Sequence, residues 1–116
     1  MVKLIICLRR KPGMSSGEFH RYWKDVHAPT VKGVPQFMRY LRKYVQSHTV
    51  SDSVPGFPAA PSPYDGVAEL WFDSLEDIGK AFSEPAYFDI IQKDDARFLD
   101  VPNCSIFVTE EVPMHG

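Results

Sequence analysis

The chain has 116 residues, of which 44% are hydrophobic and 24% are charged, and its formal net charge is −2 at pH 7. This composition is typical of one globular domain with a hydrophobic core, spanning residues 1–116. The slightly acidic balance lacks the basic footprint of nucleic-acid binding, and no apolar run reaches membrane-spanning length. Residues 4–8 are too short for a signal-peptide core. We therefore expect a cytoplasmic protein that binds neither nucleic acid nor membranes.

The first strand is predicted over residues 2–9, and it is largely apolar on both faces. A helix follows over residues 16–27, with Ser15 as N-cap and Glu18 completing a capping box. Three apolar side chains recur at helical spacing on one face of this helix: Phe19, Trp23 and Val26. Pro29 disfavours helical angles at the preceding residue, so we expect the helix to end there.

His27 lies one turn beyond Trp23, at the predicted end of this helix. One interpretation is a half-buried imidazole that only packs against the helix end. The other is a titratable group aimed into a cavity, because histidine gains and loses a proton near neutral pH. The residues alone leave both interpretations open.

A second strand is predicted over residues 38–50, with alternating side chains. One of its faces carries a polar and aromatic set: Tyr40, Arg42, Tyr44, Gln46 and His48. That face is either exposed to solvent or part of a polar pocket. Residues 51–64 contain four prolines and are predicted to form a loop, as a lid, an arm or a mobile surface segment.

The second half repeats the plan of the first. A strand over residues 65–73 is again apolar on both faces, and Ser74 caps a helix whose stripe is Leu75, Ile78 and Phe82. Pro85 opens a further helical segment, and residues 104–112 form the last strand. The order βαββαβ predicts an α+β, ferredoxin-like fold with an antiparallel sheet. Helices cover only one sheet face, so we expect a homodimer that covers the other.

Three motifs resemble the EthD family of the dimeric α+β barrel superfamily. Residues 19–29 follow the pattern F-x-x-Y-W-x-x-x-H-A-P, and residues 42–48 follow R-x-Y-x-Q-x-H. Residues 66–74, with Ser83-Glu84-Pro85 after them, are similar to the third strand of the family and its next helix. The resemblance implies a dimeric barrel with a pocket between sheet and helices.

The resemblance also implies a class of chemistry. Fungal members are described as dehydratases or decarboxylases of aromatic polyketides, and related isomerases and cyclases work without a metal or organic cofactor. The cyclases carry a catalytic histidine just after the proline corresponding to Pro85, where this chain has Tyr87. No pair of histidines has metal-ligand spacing, so we expect no metal, and the resemblance implies that no organic cofactor is needed.

With the resemblance added, the candidate catalytic residues are His27, His48 and Tyr44. The histidines would move protons, and the tyrosine would hold an enolate oxygen. The candidate substrate-binding residues are Trp23, Gln46, Asp65, Glu69, Trp71 and Tyr87. Two hypotheses follow: a cofactor-free lyase or isomerase acting on a small aromatic, lactone or polyketide-derived compound, or a non-catalytic protein that binds a small apolar or aromatic ligand.

Overall fold

Four strands form one antiparallel sheet in the structure, a computed structural model that describes residues 1–116. The strands are β1 (Val2–Leu8), β2 (Leu41–His48), β3 (Gly66–Phe72) and β4 (Ser105–Thr109). Their order in the sheet is β2-β3-β1-β4, and every neighbouring pair is antiparallel. This arrangement confirms the predicted ferredoxin-like α+β fold.

Two helical regions pack on one face of the sheet, each containing a π-helical turn. The first consists of α1 (Ser16–Tyr22), a first π turn (Trp23–His27), α2 (Ala28–Lys32) and the short α3 (Pro35–Met38). The second consists of α4 (Leu75–Phe82), a second π turn (Tyr87–Gln92) and α5 (Lys93–Phe98), followed by a 3₁₀ turn (Val101–Asn103). None of these helices is long and apolar enough to cross a membrane.

Both predicted N-caps are confirmed. Ser15 Oγ accepts the backbone N–H of Glu18 at 3.1 Å, and Glu18 Oε1 accepts the backbone N–H of Ser15 at 3.0 Å. Ser74 Oγ accepts the backbone N–H of Asp77 at 3.1 Å. These contacts satisfy N–H groups that have no partner within the first turn of a helix.

The predicted helix end at Pro29 is wrong. Ala28 has helical angles (φ −59°, ψ −45°), and the chain stays helical to the end of α2. Proline has no N–H and its ring crowds the carbonyl four residues earlier. The first π turn accommodates this, because the N–H of Ala28 bonds to the Trp23 carbonyl five residues back. The wide turn therefore places His27 inside a continuous helical region rather than at its end.

The predicted stripe is also wrong at its last member, since the side chain of Val26 is 44% exposed. The buried positions recur instead at every fourth residue: Phe19, Trp23, His27 and Val31. Four residues exceed the 3.6 of one α-helical turn, so such a row drifts around a regular helix. The π turn takes up this drift, and the row stays on the face that meets the sheet.

A β-bulge corrects the predicted facing of the second strand. Leu41 pairs with Phe72 and Lys43 with Trp71, so Arg42 is the extra residue. Leu41 is consequently buried on the same sheet face as Tyr44, whereas Arg42 is exposed. The residues that precede Leu41 belong to α3 and a turn, not to the strand.

The predicted buried stripe of α4 is wrong at its first member, because Leu75 is 64% exposed.

The sheet has one covered face and one open face. The covered face buries Leu4, Leu8, Ala68, Leu70 and Phe72 beneath the helices. The open face carries half-buried apolar side chains that the helices do not reach: Ile5, Cys7, Val45, Val67 and Trp71. Residues 51–63 form the predicted loop, exposed throughout and without helix or strand.

Candidate functional site

A cavity of about 200 Å³ lies between the covered sheet face and the two helical regions. Of its 19 lining residues, 16 are hydrophobic, and they include Trp23, Phe98 and Tyr87. The remaining three are His27, Asp95 and Ser105. An apolar cavity with a few polar groups is typical of a small-ligand site.

The two π turns bring this lining together. The first turn carries Trp23 and His27, and the second carries Tyr87 and Ile91. Asp95 follows Ile91 by four residues and also lines the cavity. Both helical regions thus present every fourth residue to the cavity. π-helical turns are frequent at functional sites.

His27 is held by a buried carboxylate. Its Nδ1 lies 2.7 Å from Oδ2 of Asp94, which is 1% exposed. Asp94 Oδ1 also accepts the hydroxyl of Tyr22 at 2.5 Å and a guanidinium N–H of Arg97 at 3.0 Å. Burial alone would raise the pKa of Asp94, but these hydrogen bonds outweigh it and lower the pKa. Asp94 is therefore an anion, and His27 donates its Nδ1–H to it.

Nε2, the other ring nitrogen of His27, faces the cavity. Burial lowers the pKa of His27, and the hydrogen bond and charge of Asp94 oppose this only in part. The ring is therefore neutral at pH 7 with its proton on Nδ1, which leaves Nε2 with a free electron pair. A neutral imidazole of this kind accepts a proton from a bound molecule.

Asp95 is the second ionisable group in the cavity. Its Oδ1 lies 3.5 Å from Nε2 of His27. Burial, with a smaller contribution from the charge of Asp94, raises the pKa of Asp95 to about 7. A carboxyl with this pKa exchanges its proton near neutrality, as general acids and bases do.

Tyr44 lies on the sheet wall of the cavity, and its hydroxyl is oriented by Gln46. The Gln46 side-chain amide donates one hydrogen to the Tyr44 hydroxyl oxygen and one to the Trp23 carbonyl, both at 2.9 Å. Since the tyrosine oxygen accepts here, its own proton is free to donate to another group. Burial raises the pKa of Tyr44, so this hydroxyl keeps its proton.

His48 does not line the cavity. Its Nε2 donates to Gln46 Oε1 at 2.9 Å, and its Nδ1 lies 2.7 Å from Nδ1 of His20. The ring also packs on Trp23, with 4.4 Å between ring centroids. Burial lowers the pKa of His48, with smaller electrostatic effects from His20 and Lys24. The structure thus places His48 behind the cavity wall, where it orients Gln46.

Three other candidate residues lie away from the cavity. Asp65 accepts the backbone N–H of Arg10 at 2.8 Å and its side chain at 2.5 Å. Glu69 and Trp71 lie on the open face of the sheet, where Lys3 bonds to the Glu69 carboxylate at 2.8 Å. Four of the nine candidate residues predicted from the sequence line the cavity: His27, Tyr44, Trp23 and Tyr87. Gln46 does not line it but bonds to the Tyr44 hydroxyl.

Asp94 and Asp95 are not among the site residues predicted from the sequence. One signal for Asp95 was available, because it continues a row of every fourth residue from Tyr87 through Ile91. No comparable signal existed for Asp94, whose partners Tyr22 and His27 come from the other helical region.

Fold and site together define a ferredoxin-like α+β protein whose apolar cavity holds a histidine between two carboxyl groups. The chain belongs to the EthD family, since the EthD domain model matches residues 11–102. A conidial pigment biosynthesis dehydratase of Metarhizium robertsii is 28% identical over 112 residues, covering 90% of this chain and 78% of that protein. A decarboxylase of Cryptosporiopsis, dmxR15, is 26% identical over 105 residues, covering 84% and 70%.

Solved structures agree with the fold. An EthD-like protein from Ralstonia eutropha JMP134 matches with a TM-score of 0.70 and 21% identity, covering 98% of this chain and 94% of that chain. A dimeric protein of ferredoxin-like fold from Bacteroides fragilis matches with a TM-score of 0.64 and 15% identity, covering 95% of both chains. At these identities the likeness shows the fold alone.

Proposed function

We propose that this chain is a cofactor-independent lyase or isomerase that uses His27 for acid–base chemistry on a small aromatic or polyketide-derived compound. One observation carries the proposal. His27 is bonded through Nδ1 to a buried anion, and its Nε2 side meets an apolar cavity. The relatives named dehydratase and decarboxylase support a lyase-type reaction.

The cavity walls favour a flat, apolar substrate. Trp23, Phe98 and Tyr87 supply aromatic surface to the lining, and aromatic rings pack well against one another in stacked or edge-on geometry. The Tyr44 hydroxyl, free to donate, would hold a substrate carbonyl whose oxygen gains negative charge. Tyr44 is therefore proposed to stabilise an enolate, with Gln46 positioning it.

Turnover by the parent and by His27→Gln tests the proposal. We expect the parent to convert members of a panel of lactones, hydroxy ketones and β-keto acids, and His27→Gln to lose about 100- to 10,000-fold in kcat. His115→Gln, at the exposed chain end, is the matched control and should keep the parent rate. Equal rates for parent and His27→Gln would contradict catalysis by His27, and binding without turnover would favour a ligand carrier instead.

We also propose that two copies associate through the open sheet face. Its apolar side chains are only half-buried in one copy, and a solved neighbour of this fold is described as dimeric. Light scattering at micromolar concentration should give about twice the 13.2 kDa chain mass. Val45→Lys adds a charge to this face without touching the cavity and should shift the mass toward one chain. A single-chain mass for the parent would contradict the dimer.

A further inference from the structure

Asp95 and His27 form a pair that shares one proton. Asp94 occupies Nδ1 of His27, so only Nε2 faces Asp95 Oδ1, 3.5 Å away. If the imidazole is neutral, the carboxyl must carry the proton for the contact to be favourable. At rest the proton is on Asp95, because burial raises the pKa of Asp95 and lowers that of His27, and the reverse arrangement with the proton on Nε2 forms only during turnover. The two arrangements have the same net charge, and both groups line the same cavity.

We propose that Asp95 is a second catalytic residue and that this pair removes water from a β-hydroxy ketone, with both proton transfers on one face of the substrate. The proposal deepens the proposed function and rests on it. The two atoms are 3.5 Å apart on one side of the cavity. They would therefore reach a C–H and a C–OH on adjacent carbons only when these bonds lie on the same side, which makes the elimination syn.

Each step balances without an outside reagent. His27 Nε2 takes the proton from the carbon beside the carbonyl, and the electrons of that C–H bond form an enolate. The enolate then closes to the C=C bond as the C–O bond of the hydroxyl breaks, and Asp95 gives its proton to the leaving oxygen, which departs as water. His27 is now charged and Asp95 is an anion. Transfer of the proton from Nε2 to Oδ1 restores the starting pair.

The surroundings of the pair agree with this cycle. Asp94, which bonds to His27, is itself bonded to Arg97 at 3.0 Å, so these two charges offset one another. Tyr44, Tyr87 and Cys104 are the other titratable groups of the cavity, and burial raises the pKa of all three, that of Tyr87 to about 12. They keep their protons near neutral pH and leave His27 and Asp95 as the exchanging groups. The Tyr44 hydroxyl is available for the ketone oxygen.

The test uses 3-hydroxy-1-tetralone, a bicyclic β-hydroxy ketone that becomes 1-naphthol when it loses water. Two rates are measured in D₂O: formation of naphthol and exchange of the hydrogens beside the ketone. We expect the parent to accelerate both. Asp95→Asn should lose about 100-fold or more of naphthol formation while retaining exchange, because the base survives and the acid does not. His27→Gln should lose both.

Asp89→Asn is the matched control, since Asp89 is an exposed acid in the second π turn and should match the parent. Naphthol formation by Asp95→Asn at the parent rate would overturn the role of Asp95 and leave His27 standing. Retention of both rates by His27→Gln would instead overturn the proposed function. No acceleration by the parent would overturn the β-hydroxy ketone as substrate class.

Discussion

Asp94→Asn is expected to lower kcat by about 100- to 10,000-fold, with little loss of fold. The carboxylate accepts the Nδ1–H of His27 at 2.7 Å, whereas an amide turned with its NH₂ toward the ring would donate to Nδ1. The imidazole proton then moves to Nε2, and the nitrogen that faces the cavity loses its free electron pair. The same change in a serine protease triad lowers kcat about 10,000-fold through the wrong tautomer.

Tyr22→Phe is the matched control, because it removes one hydrogen bond to Asp94 but keeps the carboxylate. Its kcat should stay within a few-fold of the parent. Steady-state kinetics on any converted member of the panel, with circular dichroism to verify folding, checks both variants. An Asp94→Asn protein that is folded and fully active would show that the tautomer of His27 does not matter.

Asp95→Asn is expected to make the protein more stable above neutral pH. The folded-state pKa of Asp95 is about 7, above its ordinary value of 3.8. Between these values the unfolded chain has released the proton that the folded chain still holds, so the free energy of unfolding falls as pH rises. Above pH 7 the parent has lost all of this free energy of unfolding, about 4 kcal/mol or less for a shift of this size. The amide of the variant cannot ionise, so the variant does not lose this stability.

Urea unfolding of parent and Asp95→Asn at several pH values between 4 and 8 measures this difference. The lowered pKa of His27 acts in the opposite direction, since an imidazole kept neutral in the fold makes stability rise with pH up to about 6.5. Both proteins keep His27, so the difference between them reports Asp95 together with its coupling to the imidazole 3.5 Å away. A stability difference that stays constant across the range would mean that Asp95 ionises normally.

The fold was predictable because its signals are local. Apolar alternation marked the strands, and the caps at Ser15 and Ser74 marked two helix starts. The resemblance of residues 19–29 to the EthD pattern then pointed to His27. Each of these depends on residues that are close together in the chain, where spacing and side-chain chemistry are sufficient.

The parts that were missed depend on contacts between distant segments. Asp94 bonds to His27 across 67 positions of the chain, and no pattern in one sequence announces such a pair. Pro29 predicts a helix end only in a regular α-helix, whereas the chain forms a wide π turn there. The same turn leaves Val26 exposed and places His27 in the buried row.

The proposed chemistry depends most directly on the state of His27, which is a neutral ring with its proton on Nδ1. Nitrogen-15 NMR of the imidazole side chains measures this without any substrate, and comparison with His27→Gln assigns one signal set among the four histidines. We predict an unprotonated Nε2 at pH 7, an Nδ1–H held by Asp94, and a titration midpoint below 6.5. A proton on Nε2 at pH 7, in either the neutral or the charged ring, would contradict the account.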